Sequence, residues 1–290
     1  MKNFIVRILS SIVFLGVVGL GLFPNENSLL IFKVLWTGLL LLSLGEFFSI
    51  LISKTEPVPL DKTQTLGSPI SPTTVPLSKK AILPSLVSFL GVFLSTFTVA
   101  EITVMLTGFL NRRDPKTWIK YVAFGCLSQA FITQPLTILL YLRENHVFHI
   151  YLCLAVGIGS DTGGYLFGHL SRIISRFIKS YQPYLIVPFI SPHKTLEGSL
   201  GGFIGSLILC YVLSQMTGFS IPWMYVPAMT LMCQIGDLLE SGFKRSLHVK
   251  DSGSLIPGHG GILDRIDGYL LLLPFYETLV RSYVETILLR

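Results

Sequence analysis

The sequence predicts an all-α, polytopic integral membrane helical bundle of about nine passes. Three observations carry that expectation. Of 290 residues, 51% are hydrophobic and only 13% charged, against roughly a quarter charged in a soluble domain. The mean hydropathy is +0.66. The apolar residues also fall into long runs, at 4–23, 29–53, 81–110, 118–142, 147–170, 198–217, 221–240 and 262–289. A helix needs ~20 such residues to cross a bilayer.

The first run follows Lys2 and resembles a signal peptide at its start. It continues to Phe23, and FPNENS follows without a small-residue cleavage pattern, so it reads as a retained span. Residues 54–80 are rich in Pro, Thr and Ser and lack a helical period, which predicts an exposed polar loop. Residues 81–110 decide the topology. A single crossing would scatter the basic loops over both faces. A double crossing leaves only Arg143 and Arg290 of the loop cations on the second face, as the positive-inside rule favours. Two passes need ~40 residues and this run is shorter, so eight passes plus a re-entrant hairpin are the fallback. Glu101 near its middle suits a turn. Either way 171–197 and 241–261, the loops richest in polar motifs, share the cytoplasmic face, joined by a hairpin over 198–217 and 221–240. The chain reads as one domain, 1–290, with its chemistry in the half 142–290.

The net charge of +6 does not point to nucleic acid, because Lys and Arg sit in short loops where they set topology. Cys126, Cys153, Cys210 and Cys233 are scattered through apolar runs without a CxxC pair, so they read as small hydrophobes rather than a disulfide framework or zinc site.

Three clusters hold the residues suited to chemistry. The first, Asp161-Thr-Gly-Gly-Tyr165-Leu-Phe-Gly168, places a carboxylate late in an apolar run. Ionisable groups at membrane depth usually mark a substrate or ion path, although a packing role with glycines for helix contact also fits. The second is Ser191-Pro-His193-Lys194-Thr195-Leu-Glu197-Gly198. Thr195 is placed to cap a helix and Lys194 to bind an anion at its start, with Lys194 and Glu197 three apart on one face; a plain helix entry fits equally well. The third runs from Ser241 to Asp267, after Asp237. It sets Lys244, Arg245, Lys250 and Arg265 beside Asp251, Asp264 and Asp267, with Pro257, Gly258, His259, Gly260 and Gly261 breaking the backbone. A stop-transfer patch would account for the cations but not for Asp264 and Asp267, which share a face if helical. A loop joining Asp237 to Asp264 would form a carboxylate pair suited to Mg²⁺, while the cations neutralise phosphates. Glu46 and Glu101 are intramembrane carboxylates without an assigned partner.

Over the 27 positions from Ser241 to Asp267, the pattern Ser241-x-x-Lys244-Arg245, Lys250-Asp251 and Pro257-x-His259-Gly260-Gly261-x-x-Asp264-Arg265-x-Asp267 resembles the phosphatidate cytidylyltransferase (CDP-diacylglycerol synthase) family. Asp161 with its glycines and the segment Ser191–Gly198 resemble it too, except that the family usually has a second lysine where this chain has His193. The resemblance implies an enzyme of phospholipid biosynthesis that transfers the cytidylyl group of CTP to phosphatidic acid, releasing pyrophosphate. It implies Asp237 and Asp264 as ligands of Mg²⁺, with room for a second cation. Lys244, Arg245, Lys250, Asp251, His259, Arg265 and Asp267 are then the catalytic set. Asp161, Ser191, Lys194, Thr195, Glu197, Ser241, Gly260 and Gly261 are then substrate-binding. The partners expected are CTP, phosphatidic acid and the bilayer of a bacterial inner membrane, with a homodimer as one possible assembly. The rival readings are a CTP-dependent polyprenol kinase, a cytidylyltransferase for another lipid phosphate and, more distantly, a transporter; the last would be expected to show a repeat that this chain lacks.

Asp264→Asn is expected to abolish turnover while the protein still inserts and folds, because one carboxylate oxygen becomes a poor metal ligand at nearly constant volume. Near-normal turnover at ordinary Mg²⁺ would contradict the metal role.

Overall fold

A computed structural model describes residues 26–55, 115–178, 180–253 and 260–281. The expected spans at 4–23 and 81–110, nearly all of the 54–80 loop, Glu101 and His259 lie outside the described residues. The described residues are helical, without a strand; one isolated antiparallel bridge joins Leu185 to Thr195. Four helical stretches, Asn27–Leu51, Ala123–Asn145, Val147–Phe177 and Leu196–Thr217, are long and apolar enough to cross a membrane. Helices of this length and composition mark an integral membrane protein. The chain packs as two compact units, Met1–Thr137 with Phe243–Ile266, and Ile138–Gly242 with Asp267–Arg290.

In the first unit, helix α1 (Glu26–Thr55) buries Leu40, Leu44, Phe47 and Leu51, a stripe at helical spacing. Trp36 Nε1 donates to the Leu136 carbonyl at 2.6 Å, and Phe47 stacks on Phe243 with ring centroids 5.1 Å apart. Helix α2 (Pro115–Ser128) runs through a π-turn, Gln129–Thr133, into α3 (Gln134–Asn145). Pro135 supplies the cause. It has no N–H to continue the ladder, and the neighbouring Gln134 N–H bonds Gln129 O, five residues back.

The second unit is built on α4 (Val147–Phe177) and α5 (Leu196–Thr217). Their backbones approach closely where Gly159 and Gly163 meet Gly201 and Gly205. A Cβ added at Gly163 would run into the Gly201 carbonyl oxygen, and one at Gly159 would lie 2.6 Å from Ser206 Cα. Small residues permit this contact, and the Ser206 hydroxyl adds a bond to Val156 O at 2.9 Å. Thr195 caps α5 by accepting from Gly198 N at 3.1 Å, as its position predicts. Gly218, at φ 68°, ends the helix in the left-handed region. A short 3₁₀ turn, Trp223–Tyr225, leads into α6 (Val226–Ser246), completing the expected hairpin with its second arm shifted toward the C-terminus.

The last apolar run departs from expectation. Instead of one helix from 262, the chain forms α7 (Leu263–Ile266), a turn at Asp267 and Gly268, then α8 (Tyr269–Phe275) and a π-turn, Tyr276–Arg281. Asp264 and Asp267 therefore do not share a helix face. The Asp267 carboxylate instead accepts from Gly268 N at 2.7 Å, a local bond that competes with helix continuation. Cys153, Cys210 and Cys233 are buried free thiols, whereas Cys126 is exposed.

Gly201→Val is expected to destabilise the protein by about 2 kcal/mol or more, since the new side chain has no room between the two backbones. Thermal unfolding in detergent checks it; an unchanged midpoint would contradict the close packing.

Candidate active site

Two polar clusters stand out, one in each unit. In the second unit, α4, α5, α6 and the loop before α5 enclose a cavity of about 280 Å³. Asp161 and Arg172 reach it from α4, His193 and Lys194 from the loop, and Asp237 from α6. The loop is set by backbone bonds, Ile186 N to Lys194 O at 3.1 Å and Leu196 N to Tyr184 O at 2.8 Å, which fold it back on the start of α5. Glu197 fixes its other end, accepting from the Tyr181 hydroxyl at 2.8 Å and from Tyr184 N at 3.3 Å. That bond to Glu197 pushes the Tyr181 hydroxyl above its usual pKa, because ionisation would remove the donated proton and oppose two negative charges. Lys194 and Glu197 are thus not a pair: Lys194 reaches Asp237 at 2.5 Å, with both side chains about one-third exposed. The first two sequence clusters and Asp237 come together here, with Thr195 and Gly198 presenting the N-terminus of α5 to the cavity.

Ser191 lies in the turn closed by its own N–H on Val187 O at 2.9 Å, and Ser241 stands 3.5 Å from Asp237 Oδ1. Asp267 feels the charges of Asp237, Glu240 and Asp161. Sequence reasoning gave no site role to three lining residues. Arg172 is held through Nε by Gly168 O at 2.9 Å. Tyr165 stacks on His169 with centroids 5.9 Å apart. Gln234 is locked by Ser199, whose hydroxyl donates to Oε1 and whose carbonyl accepts from Nε2 at 3.1 Å. A polar residue at 234 in an apolar run was the available signal.

In the first unit, Lys244 on α6 pairs with Asp264 on α7 at 2.5 Å, and both side chains are at least nine-tenths buried. Asp264 also accepts from Ser252 N at 3.0 Å and Gly261 N at 2.8 Å. Gly260 adopts φ 84°, and a Cβ there would lie 2.7 Å from Asp264 Oδ2. Arg245 donates to Val249 O at 3.2 Å; Arg245, Lys250 and Arg265 are exposed and Asp251 half-buried. The residue sequence reasoning missed most clearly is Glu46. It is 1% exposed and fully engaged with this same segment.

Asp161 and Asp237 offer the cavity carboxylate oxygens, the donors a hard divalent cation prefers, beside the His193 imidazole. Among the described residues no group of three His, Cys, Asp or Glu side chains is arranged to hold a metal. Two carboxylates are as many protein ligands as Mg²⁺ usually takes when phosphate oxygens and waters complete its shell.

Residues 5–283 match the Cytidylyltransferase family. The chain belongs to that family. It is 38% identical over 162 residues to the phosphatidate cytidylyltransferase of Staphylococcus saprophyticus, covering 54% of this chain and 58% of that protein. The protein of the same name from Staphylococcus haemolyticus is 36% identical over the same shares. The one from Bacillus subtilis is 38% identical over 137 residues, 46% of this chain and 47% of that protein. The chain thus spans about half the length of the curated relatives it matches.

Lys194→Met and Asp237→Asn are each expected to lower cytidylyl transfer about 100-fold or more. The double variant should be little worse than the poorer single one, because the two side chains act as a unit. Losses that simply multiply would contradict a shared role.

Proposed function

We propose that this chain transfers the cytidylyl group of CTP to phosphatidic acid, giving CDP-diacylglycerol and pyrophosphate. The observation that carries the proposal is the cavity in which Lys194, Arg172 and the N-terminus of α5 face Asp161 and Asp237. Cations and a helix N-terminus favour phosphate, and carboxylates favour the divalent ion that accompanies a nucleoside triphosphate. The family membership and the names of the relatives support the same reading.

In this reaction a phosphatidate oxygen attacks the α-phosphorus of CTP. A new P–O bond forms, and the bond from that phosphorus to the bridging oxygen breaks, its electron pair leaving with pyrophosphate. The nucleophile is already an anion, so the site needs no strong base. Its task is to hold two anions together and to match the charge that grows on the leaving group. Lys194 and Arg172 serve the phosphates in the cavity. Lys244, Arg245, Lys250, Arg265 and His259 are assigned to phosphate binding and proton handling on the family resemblance. The family resemblance assigns Mg²⁺ to Asp237 and Asp264, with Asp161 and Asp267 as supporting carboxylates; the ion would neutralise the triphosphate. Each of the two assigned ligands carries a lysine partner, a cation that a divalent ion can replace. Nine passes in a bacterial inner membrane, with the site on the cytoplasmic side, suit one soluble and one lipid substrate.

Purified protein in detergent should release pyrophosphate only when CTP, Mg²⁺ and phosphatidic acid are all present, each omission silencing it. Release of CDP instead would move the chemistry to a lipid kinase. Activity only with another lipid phosphate would keep the chemistry and change the substrate.

A further inference from the structure

Glu46 lies buried in the C-terminal third of an apolar helix, α1, where a carboxylate is costly unless its oxygens are satisfied. Here they are. Oε2 accepts from the Ser252 hydroxyl at 2.8 Å and from Leu263 N at 2.9 Å, and Oε1 accepts from Ile262 N at 3.0 Å. Two glycines give the carboxylate its room. A Cβ at Gly253 would lie 2.6 Å from Oε1, and one at Gly261 would collide with Oε2 and with the Ser252 hydroxyl.

The second buried carboxylate of this unit, Asp264, binds the same two stretches through their other donors. Ser252 gives its hydroxyl to Glu46 and its N–H to Asp264. Gly261 gives its N–H to Asp264, while the next two N–H groups go to Glu46. Residues 252 and 261–263 are therefore gripped from two sides. Gly260, which precedes the second of these stretches, is assigned above to the reaction. Asp264 also holds Lys244.

We infer that Glu46 is a positioning residue of the proposed reaction: through Ser252, Ile262 and Leu263 it sets the backbone that leads into Asp264 and so holds Asp264 and Lys244 in register. The inference rests on the cytidylyl-transfer reading for its catalytic consequence, but the clasp itself does not. It gives a structural reason for a carboxylate deep in an apolar helix that lies outside the half of the sequence bearing the family motifs. It also requires the acid and not its amide. Each oxygen accepts a backbone N–H, so the NH₂ of a glutamine would oppose a donor whichever way it turned.

The test compares wild type, Glu46→Gln and the milder Ser252→Ala by two independent readouts. In hydrogen exchange, Glu46→Gln should expose the amides of Ile262 and Leu263 at least about tenfold faster, with α5 unchanged. In turnover with CTP and phosphatidic acid, Glu46→Gln should lower kcat about 10–100-fold, the usual cost of losing a group that orients a site, with KM for CTP changed far less. Ser252→Ala should fall between it and wild type. Unchanged exchange at 262–263 would overturn the clasp, and a full kcat in a variant with faster exchange would overturn the positioning role. Wild type that exchanges as expected but makes no CDP-lipid would instead overturn the functional reading and leave the clasp standing.

Discussion

The constraint on which this molecule depends is the cost of charge in an apolar chain. With so few ionisable residues spread over long hydrophobic helices, each carboxylate at depth needs a cation or a set of N–H and O–H donors. Lys194 meets Asp237, Lys244 meets Asp264, and Glu46 takes a hydroxyl and two backbone amides. The buried Lys244–Asp264 pair adds little net stability, yet removing one partner is strongly destabilising because it leaves an uncompensated buried charge. Such groups therefore read better as elements of specificity and function than as supports of the fold. The fold itself leans on close backbone packing, as at Gly163 and Gly201, and on apolar stripes such as Leu40, Leu44, Phe47 and Leu51.

Much of this was legible in the sequence. Hydropathy locates the four span-length helices, because a span needs only length and apolar content. Thr195 as a cap and the cysteines as unpaired thiols followed from local chemistry. What was not legible depended on partners distant in sequence. Lys194 looked set to pair with Glu197, three residues on, yet its ammonium goes to Asp237 and Glu197 goes to Tyr181. Glu46 had no local partner to announce it; its donors lie more than two hundred residues away. The break at Asp267 was hidden because an apolar run gives no warning of a turn beyond Gly268.

Two anions must approach one another for the proposed transfer. The cavity offers cations, carboxylates and a capped helix start, while the Lys244–Asp264 cluster holds a second cation and carboxylate in a rigid hydrogen-bonded frame. Asp264 is bound by two backbone amides as well as Lys244, so an asparagine there would disturb the loop as well as any metal. Loop geometry and charge neutralisation are therefore coupled in this unit by the same side chain, which is why the carboxylate facing it from α1 has chemical weight.

Isotope tracing tests the central claim most directly. Given CTP labelled with ³²P at the α-position, the protein should place the label in a chloroform-extractable lipid that co-migrates with CDP-diacylglycerol. With γ-labelled CTP, the label should remain in water-soluble pyrophosphate. Label entering lipid from the γ-position, or none entering from the α-position with phosphatidic acid and Mg²⁺ present, would contradict cytidylyl transfer to this lipid.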